Sequence, residues 1–253
     1  MKKAIRHIRA AFKFAILLGW SFVLLPWALL SHIVPLGRAE RGAWFTLVWA
    51  RGAWRILGGR AELCGGETPS GGGLLVSNHL SYLDIIVHAS ILKVRFAPKI
   101  EMKKWPLVGL MTGINNPVWI DRRRRELAGG ALNAMCGALR GSVPLLVYPE
   151  GTNGDGGALL PFKTTCFAAA AEADAPIYPM LTRYLPAADG TPLPWVGNEG
   201  FLPHFWRVLG LKEIRCQVYI MPLVRPNRRG RKELTERLRD EMAGQYRRWN
   251  EYA

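Results

Sequence analysis

The sequence predicts an α/β sandwich domain preceded by an N-terminal helical hairpin that associates with a membrane. From residue 74 onward, short apolar runs typical of strands alternate with segments of helical periodicity, which indicates an α/β sandwich with ligand sites at strand ends. Before residue 59, apolar stretches are flanked by basic residues. A chain of 253 residues can form both parts. We therefore predict a membrane-anchoring segment over residues 1–58 and the main domain over residues 59–253.

The charge balance indicates an anionic partner. The chain holds 34 Lys and Arg residues against 19 Asp and Glu, a formal net charge of +15, which suits nucleic acid, an anionic membrane or an anionic substrate. A hydrophobic content of 49% and ten Trp residues favour an anionic membrane surface, and the sequence shows no nucleic-acid-binding signature. The four Cys residues are far apart and form no C-x-x-C pair, which predicts reduced thiols in a cytosolic environment.

Residues 14–30 form an uncharged, mostly apolar segment after a basic N-terminus. A signal peptide is disfavoured because no small-x-small cleavage site follows. A transmembrane span is disfavoured because a helix of this length reaches about 25 Å, less than the ~30 Å hydrocarbon core, and because both flanks are basic. Residues 39–57 place Trp among Arg residues, as an interfacial helix requires. We predict a hairpin in one leaflet of the inner (cytoplasmic) membrane, with the main domain on the cytosolic side; a buried pair of core helices is the alternative.

A glycine-rich connector at residues 65–73 marks the predicted boundary between the two parts. The predicted strands are Leu74–Ser77, Val94–Ala97, Pro117–Ile120, Pro144–Tyr148, Ile177–Tyr184 and Cys216–Val224. The predicted helices are Tyr82–Leu92, Met102–Met111, Arg124–Leu139, Phe162–Glu172 and Lys232–Trp249.

A polar stretch separates the first predicted strand from its helix. Ser77, Asn78 and His79 follow the strand, and Asp84 lies in the apolar run that comes next. On an ideal helix, residues five apart are separated by about 140° and do not share a face. If His79 lies in the turn before the helix, Asp84 can instead return beneath the imidazole, fix its tautomer and leave the second ring nitrogen free to accept a proton. A polar helix cap, formed by Ser77 or Asn78 beside an incidental His, is the alternative.

The pattern Asn78-His79-x-x-x-x-Asp84 resembles the first motif of the glycerolipid acyltransferases, the family of the lysophosphatidic acid acyltransferases. Three further segments resemble the second, third and fourth motifs of that family, in the same order and at plausible spacing. They are Val118–Arg122, Tyr148–Thr152 with Leu160–Lys163, and Ala175–Pro179. The resemblance covers about residues 74–180. It implies that the main domain is an acyltransferase catalytic domain with the glycerolipid-acyltransferase-like αβ sandwich fold.

The same resemblance implies a membrane-bound enzyme that moves an acyl chain from acyl-CoA or acyl-carrier protein to the sn-2 hydroxyl of lysophosphatidic acid, giving phosphatidic acid. His79 would be the general base and Asp84 would orient it, so that the hydroxyl attacks the thioester directly and no acyl-enzyme forms. We expect no cofactor beyond the acyl donor, and no metal. Two alternatives stay open: acylation of another lysolipid such as lyso-ornithine lipid, and a non-catalytic basic membrane-surface protein.

The resemblance also implies a set of substrate-binding residues: Asn78, Arg122, Glu150, Gly151, Thr152 and Lys163. Arg122 could bind a phosphate through two donors, and the turn at Gly151 could bring backbone N–H groups close to an anion. The family usually carries an arginine directly after its Glu-Gly-Thr, whereas this chain has Asn153. This difference motivates the lyso-ornithine alternative, although Lys163 could supply a replacement charge.

Two neighbouring residues suggest rival chemistry. Ser81 could complete a Ser-His-Asp hydrolase triad. However, Ser81 follows His79 by two residues in one turn, and no G-x-S-x-G elbow occurs in the sequence. His88 lies one helical turn after Asp84 and is a minor alternative base.

Overall fold

The fold is given by a computed structural model that describes residues 2–30, 36–105, 108–121, 128–226 and 230–251. The helices in these ranges are α1 (Lys2–Leu30), α2 (Arg38–Leu57), α3 (Leu83–Ile91), α4 (Val108–Ile114), α5 (Ala128–Leu139), α6 (Thr165–Glu172), α7 (Phe201–Leu209) and α8 (Arg231–Glu251). The strands are β1 (Gly59–Gly65), β2 (Leu74–Ser77), β3 (Arg95–Phe96), β4 (Leu145–Val147), β5 (Ile177–Tyr184) and β6 (Ile214–Ile220). A 3₁₀ helix spans Ile100–Lys104.

The described strands form one sheet in the order β1-β6-β5-β2-β4-β3. β2, β3, β4 and β5 are parallel to one another, whereas β6 is antiparallel to β5 and parallel to β1. Helices cover both faces, since Leu75 belongs to the core that contains residues of α2 and α3, and Leu74 to the core that contains residues of α5, α6 and α8. Burial on both faces explains why β2 and β4 are continuous apolar runs rather than alternating ones.

The predicted α/β class is confirmed, and β2 and β5 have the predicted bounds. The predicted strand Pro117–Ile120 is wrong. Ile120 makes an isolated bridge with Lys99, because the two segments contain Pro98 and Pro117, which have no N–H to donate to a ladder. The predicted last strand, Cys216–Val224, corresponds to β6, which begins and ends earlier, at Ile214 and Ile220.

Two elements were not predicted, β1 and α7. β1 carries Arg and Glu side chains between glycines and therefore resembles a connector in sequence. α7 contains Pro203, which is tolerated because the first turn of a helix needs no N–H there. The predicted helix Met102–Met111 is a 3₁₀ helix followed by α4, and the start of the predicted helix Arg124–Leu139 lies outside the described residues.

The first half of α1 lies against the main domain. The Arg9 guanidinium donates a 3.0 Å hydrogen bond to the carbonyl of Gly210. The Lys13 ammonium donates to the carbonyls of Leu57 at 2.6 Å and Leu211 at 2.8 Å. These basic side chains therefore attach the helix to the protein itself.

The opposite face of α1 is apolar and open. By length and composition, α1 is the one described helix that could cross a membrane, and only 17% of its most apolar window is buried. Most of its exposed apolar side chains recur every three or four residues, which places them on one helical face. They are Ile5, Ile8, Phe12, Ile16, Phe22, Val23 and Trp27.

In contrast, α2 is a core helix. Ala50, Trp54 and Leu57 are buried in the same cluster as Leu83 and Val87 of α3. α2 therefore covers the sheet directly, and removing it would expose the core. A separate anchoring domain over residues 1–58 stays a prediction.

The parallel strands end at one edge of the sheet, and the predicted site residues lie there. β2 leads into Asn78 and His79, and β4 leads into Tyr148 and Glu150, while β5 ends at Tyr184. Because β2 pairs with both β4 and β5, these residues come together at the carboxyl ends of the strands, where ligands bind in open α/β sheets.

Candidate active site

The structure brings His79 and Asp84 together. His79 lies in the turn between β2 and α3, and its Nδ1 is 2.8 Å from Oδ2 of Asp84 in the first turn of α3. The Asp84 side chain is fully buried, whereas that of His79 is 16% exposed. The pair therefore has a buried carboxylate behind an imidazole that reaches the surface of the edge.

Asp84 accepts three further hydrogen bonds. Oδ2 accepts the backbone N–H groups of Leu80 at 2.6 Å and Ser81 at 3.0 Å, and Oδ1 accepts the Tyr184 hydroxyl at 2.6 Å. Burial alone would raise the pKa of Asp84, but hydrogen bonding and the charge of His79, together with the bond from Tyr184, hold that pKa below its ordinary value. Asp84 is consequently ionised and fixed in orientation.

The predicted cap by Ser77 or Asn78 is wrong: the Ser81 hydroxyl accepts the first N–H of α3, and Asp84 accepts the N–H groups of the turn before it. Asn78 instead pairs with the backbone of Thr182 in β5, donating to its carbonyl at 2.9 Å and accepting its N–H at 2.8 Å. The Ser77 and Thr182 hydroxyls are 3.2 Å apart. Both functional groups of the Asn78 amide are thus used to join the turn to β5, and a role for Asn78 in substrate binding stays a prediction.

Neither rival group is presented to a substrate. Ser81 is fully buried, and its hydroxyl accepts the N–H of Leu83 at 3.3 Å. His88 is also fully buried, with Nδ1 2.9 Å from the Tyr148 hydroxyl and Nε2 2.7 Å from the Thr182 hydroxyl. Burial lowers the pKa of His88 to about 4, so this ring is neutral and both of its nitrogens are occupied.

The Glu150-Gly151-Thr152 turn follows β4 at the same edge. Gly151 has φ +72°, a left-handed conformation that favours glycine, and its N–H donates to the Tyr148 carbonyl at 3.1 Å. A Cβ on Gly151 would lie 2.6 Å from Lys163 Nζ. Thr152 and Lys163 are exposed. The Lys163 ammonium therefore lies beside this turn, at the surface of the edge.

Glu150 is buried, unlike the rest of that turn. Burial raises the pKa of its carboxyl to about 8, against the opposing effect of hydrogen bonds with the backbone of Leu160 and His79. Within the described ranges, Oε1 has no hydrogen-bond partner. Glu150 therefore holds a proton at neutral pH and has one oxygen available. Arg122, which the resemblance implies binds substrate, lies outside the described residues.

The chain after the Glu-Gly-Thr turn folds back over the His79 turn. Gly154 N–H donates to the His79 carbonyl at 2.7 Å. Asn153 donates through its side chain to the Trp195 carbonyl at 2.9 Å, and Trp195 N–H donates to the Leu80 carbonyl at 2.8 Å. Asn153, at the place of the arginine that the family pattern predicts, thus joins two loops of the protein.

Two tyrosines of the site were not predicted. Tyr184 donates to Asp84 from β5, 100 residues along the chain, and no local pattern indicates such a contact. The Tyr148 ring stacks on the His79 imidazole, with centroids 4.0 Å apart and planes 11° from parallel. Because Tyr148 directly precedes Pro149-Glu150, the sequence could have indicated that Tyr148 lies at the site.

An imidazole supported by a buried carboxylate can remove a proton from a hydroxyl. Together with a Glu-Gly-Thr turn at the strand ends of an α/β sheet, this is the site that the resemblance to the acyltransferases implies. A family model described as Acyltransferase matches residues 64–183. The chain is 30% identical over 220 residues to the lyso-ornithine lipid O-acyltransferase of Rhizobium meliloti, covering 81% of this chain and 74% of that protein. The chain therefore belongs to the acyltransferase family and is an acyltransferase.

Two further similarities agree with this assignment. The chain is 30% identical over 153 residues to the 1-acyl-sn-glycerol-3-phosphate acyltransferase of Neisseria gonorrhoeae, covering 60% of each protein. Its fold matches the crystal structure of the 1-acyl-sn-glycerophosphate (LPA) acyltransferase PlsC from Thermotoga maritima with a TM-score of 0.76. That match covers 99% of this chain and 98% of the other at 18% identity, and it shows the shared fold.

Proposed function

We propose that this acyltransferase transfers an acyl chain from a thioester to the hydroxyl of a lysolipid, with His79 as the general base. The observation that carries the proposal is the 2.8 Å contact between His79 Nδ1 and the buried Asp84 carboxylate. Asp84 accepts a hydrogen bond from Nδ1–H, which leaves Nε2 free to accept a proton. No described residue forms a hydrogen bond with Nε2.

The reaction needs no covalent enzyme intermediate. The lysolipid oxygen attacks the carbonyl carbon of the thioester while its proton moves to His79 Nε2. A C–O bond forms, the C–S bond breaks, and the imidazolium returns the proton to the departing thiolate. The ionised Asp84 stabilises the imidazolium between these steps. The buried hydroxyl of Ser81 supports direct transfer over a serine ester.

The donor is acyl-CoA or acyl-carrier protein. Both present the acyl group as a thioester on a phosphopantetheine arm, and both are anionic. A formal net charge of +15 favours the approach of either one. The same charge favours an anionic membrane surface, where a lysolipid acceptor is found.

Two acceptors are candidates, and a separate observation supports each. Lysophosphatidic acid, which the sequence predicts, is supported by the ammonium of Lys163 beside the Gly151 turn, because a cation at a backbone turn suits a phosphate. Lyso-ornithine lipid is supported by Asn153, whose amide bonds Trp195 and supplies no charge. The lyso-ornithine lipid O-acyltransferase of Rhizobium meliloti, to which this chain is similar over 220 residues, carries that activity in its name.

The membrane contact is proposed to lie on the open face of α1. On this face Ile8 is 70% exposed, Phe12 66% and Trp27 64%. An exposed apolar helix face of this kind suits the boundary between the head groups and the acyl chains of one leaflet. The sequence predicts a hairpin of residues 1–58 in one leaflet of the inner membrane. Because α2 belongs to the core, we propose that α1 alone lies in the cytosolic leaflet, with the active site on the cytosolic side.

The experiment that tests the reaction uses the full chain, labelled acyl-CoA and acyl-carrier protein, and a panel of lysolipids in vesicles. His79→Ala is expected to lower the rate of transfer by roughly 10²–10⁴-fold. The control is Glu172→Ala, at an exposed residue of α6, which is expected to keep full activity. Transfer by folded His79→Ala within a few-fold of the unsubstituted enzyme would contradict the proposal. The panel identifies the acceptor and the donor.

A further inference from the structure

The catalytic imidazole rests on a second aromatic ring. The His79 and Tyr148 rings are 4.0 Å apart and nearly parallel, at 11°. Tyr148 follows the last residue of β4, a fully buried strand, so this ring projects from a rigid part of the sheet. Stacking at this distance restricts rotation of the imidazole about its Cβ–Cγ bond.

Tyr148 is in turn held by a buried histidine. The Tyr148 hydroxyl is 2.9 Å from His88 Nδ1, and His88 Nε2 is 2.7 Å from the Thr182 hydroxyl. His88 is neutral and fully buried, so one nitrogen donates and the other accepts. This group takes no part in the proton transfer proposed above.

These contacts close into a circuit. Thr182 exchanges two hydrogen bonds with the side chain of Asn78, and Asn78 is the residue before His79. The path runs from the His79 ring through Tyr148, His88 and Thr182 back to the backbone beside His79. Apart from His79 Nε2, every side-chain polar atom in the path has a partner, so the circuit resists any change in the direction of the imidazole.

We propose that Tyr148 and His88 are positioning residues for His79. Tyr148 holds the plane of the imidazole so that Nδ1 faces Asp84 and Nε2 faces the acceptor, and His88 fixes Tyr148. This inference rests on the proposed role of His79 as base. When His79 takes the proton, the face of the Tyr148 ring also lies against a cation, which it stabilises.

The first test compares Tyr148→Leu with Tyr148→Phe in the full chain. Loss of the ring is expected to lower kcat roughly tenfold to a hundredfold with little change in KM, because misorientation affects the chemical step. Tyr148→Phe keeps the stack but loses the hydrogen bond to His88, so we expect a loss of a few-fold, smaller than that of Tyr148→Leu. Tyr219→Leu, a partly buried tyrosine that packs on Trp249, is the matched control. An unchanged kcat for folded Tyr148→Leu would overturn the proposal.

A double-mutant cycle separates positioning from a general effect on the fold. If Tyr148 acts through His79, Tyr148→Leu causes no further loss in the His79→Ala background. An equal loss in both backgrounds would overturn the proposal, although His79 would remain the base. If His79→Ala itself keeps activity, the proposed function fails first, so the two failures are distinguishable.

His88 provides a second series that does not alter the stacked ring. Gln can supply one donor and one acceptor to Tyr148 and Thr182, whereas Leu fills the space without either. We expect His88→Gln to keep kcat within roughly threefold and His88→Leu to lose about tenfold, with both variants folded by circular dichroism. Equal kcat values for the two variants would show that His88 only fills the core, which would overturn its part of the proposal.

Discussion

The Tyr184 hydroxyl donates a 2.6 Å hydrogen bond to Oδ1 of Asp84, the carboxylate oxygen that His79 does not contact. Tyr184 is the last residue of β5, so the sheet itself sets the plane of the carboxylate. The two backbone N–H groups on Oδ2 add donors from the turn. A buried carboxylate with this set of donors stays ionised, which is what an imidazolium partner requires.

Removing the Tyr184 hydroxyl should weaken the enzyme without disabling it. Hydrogen bonds to charged groups contribute about 1.5–3 kcal/mol, so Tyr184→Phe is expected to lower kcat roughly tenfold. It should also raise the pKa of Asp84, because one stabilising donor is lost. Steady-state kinetics in vesicles measure the effect, with Tyr219→Phe as the control. A kcat equal to that of the unsubstituted enzyme would show that the backbone donors are sufficient.

Asp84→Asn should be more severe. An amide with its oxygen in the Oδ2 position can still accept from His79 and from both backbone N–H groups, but it has no charge with which to stabilise an imidazolium. Its NH₂ group would then take the Oδ1 position and face the Tyr184 hydroxyl, which donates there in the unsubstituted chain. We expect a loss of transfer of roughly 10²–10⁴-fold, together with a lower midpoint of unfolding. Asp155→Asn, an exposed carboxylate after the Glu-Gly-Thr turn, should leave activity intact. Comparable activity in the two variants would contradict the assignment.

Glu150 should make stability depend on pH. In the folded chain its pKa is raised to about 8 from an ordinary value of 4.5, so between these values the folded state binds one more proton than the unfolded state. Stability from this group is therefore fully present below pH 4.5 and falls as pH rises toward 8, by up to about 1.4 kcal/mol per pH unit.

Glu150→Gln tests this directly, because the amide is of similar size and has no ionised form. Between pH 5 and pH 8, the unfolding free energy of the unsubstituted chain should fall by more than that of the variant. Urea unfolding in detergent at both pH values measures it. Parallel pH profiles for the two proteins would show that Glu150 is ionised in the folded state.

Local features of the sequence explain what could be predicted. The buried run of β2 and the five-residue interval from His79 to Asp84 lie within one strand–turn–helix unit, so their geometry follows from short-range rules. Tyr184 and Thr182 approach from β5, about a hundred residues later, and only the tertiary fold brings them to the turn. The protonation of Glu150 likewise depends on burial that no local pattern shows.

The open face of α1 should determine membrane binding. Ile8→Ser with Phe12→Ser removes two exposed apolar side chains, and each buried side chain of this kind is worth about 1.5–3 kcal/mol. Sedimentation with anionic vesicles is expected to show at least tenfold weaker binding. The control is Leu223→Ser, which is 50% exposed on a different surface of the chain. Equal losses for the pair and the control would contradict the proposed face. Transfer to a short-chain, water-soluble acceptor should persist, because these side chains do not touch the site.

The acceptor head group should respond to charge at Asn153. Asn153→Arg adds the cation that the family pattern predicts, but it also removes the hydrogen bond to the Trp195 carbonyl. Asn153→Ala removes the bond alone, so the comparison of Arg with Ala isolates the charge. For lysophosphatidic acid, the added cation should lower KM by roughly tenfold relative to Ala, because a charge-assisted bond contributes about 1.5–3 kcal/mol. Arg122→Ala should raise KM for the same acceptor by a similar factor, and Arg122→Lys should restore part of it. If Asn153→Arg instead abolishes transfer while the unsubstituted enzyme prefers lyso-ornithine lipid, the pocket accepts a head group without a phosphomonoester.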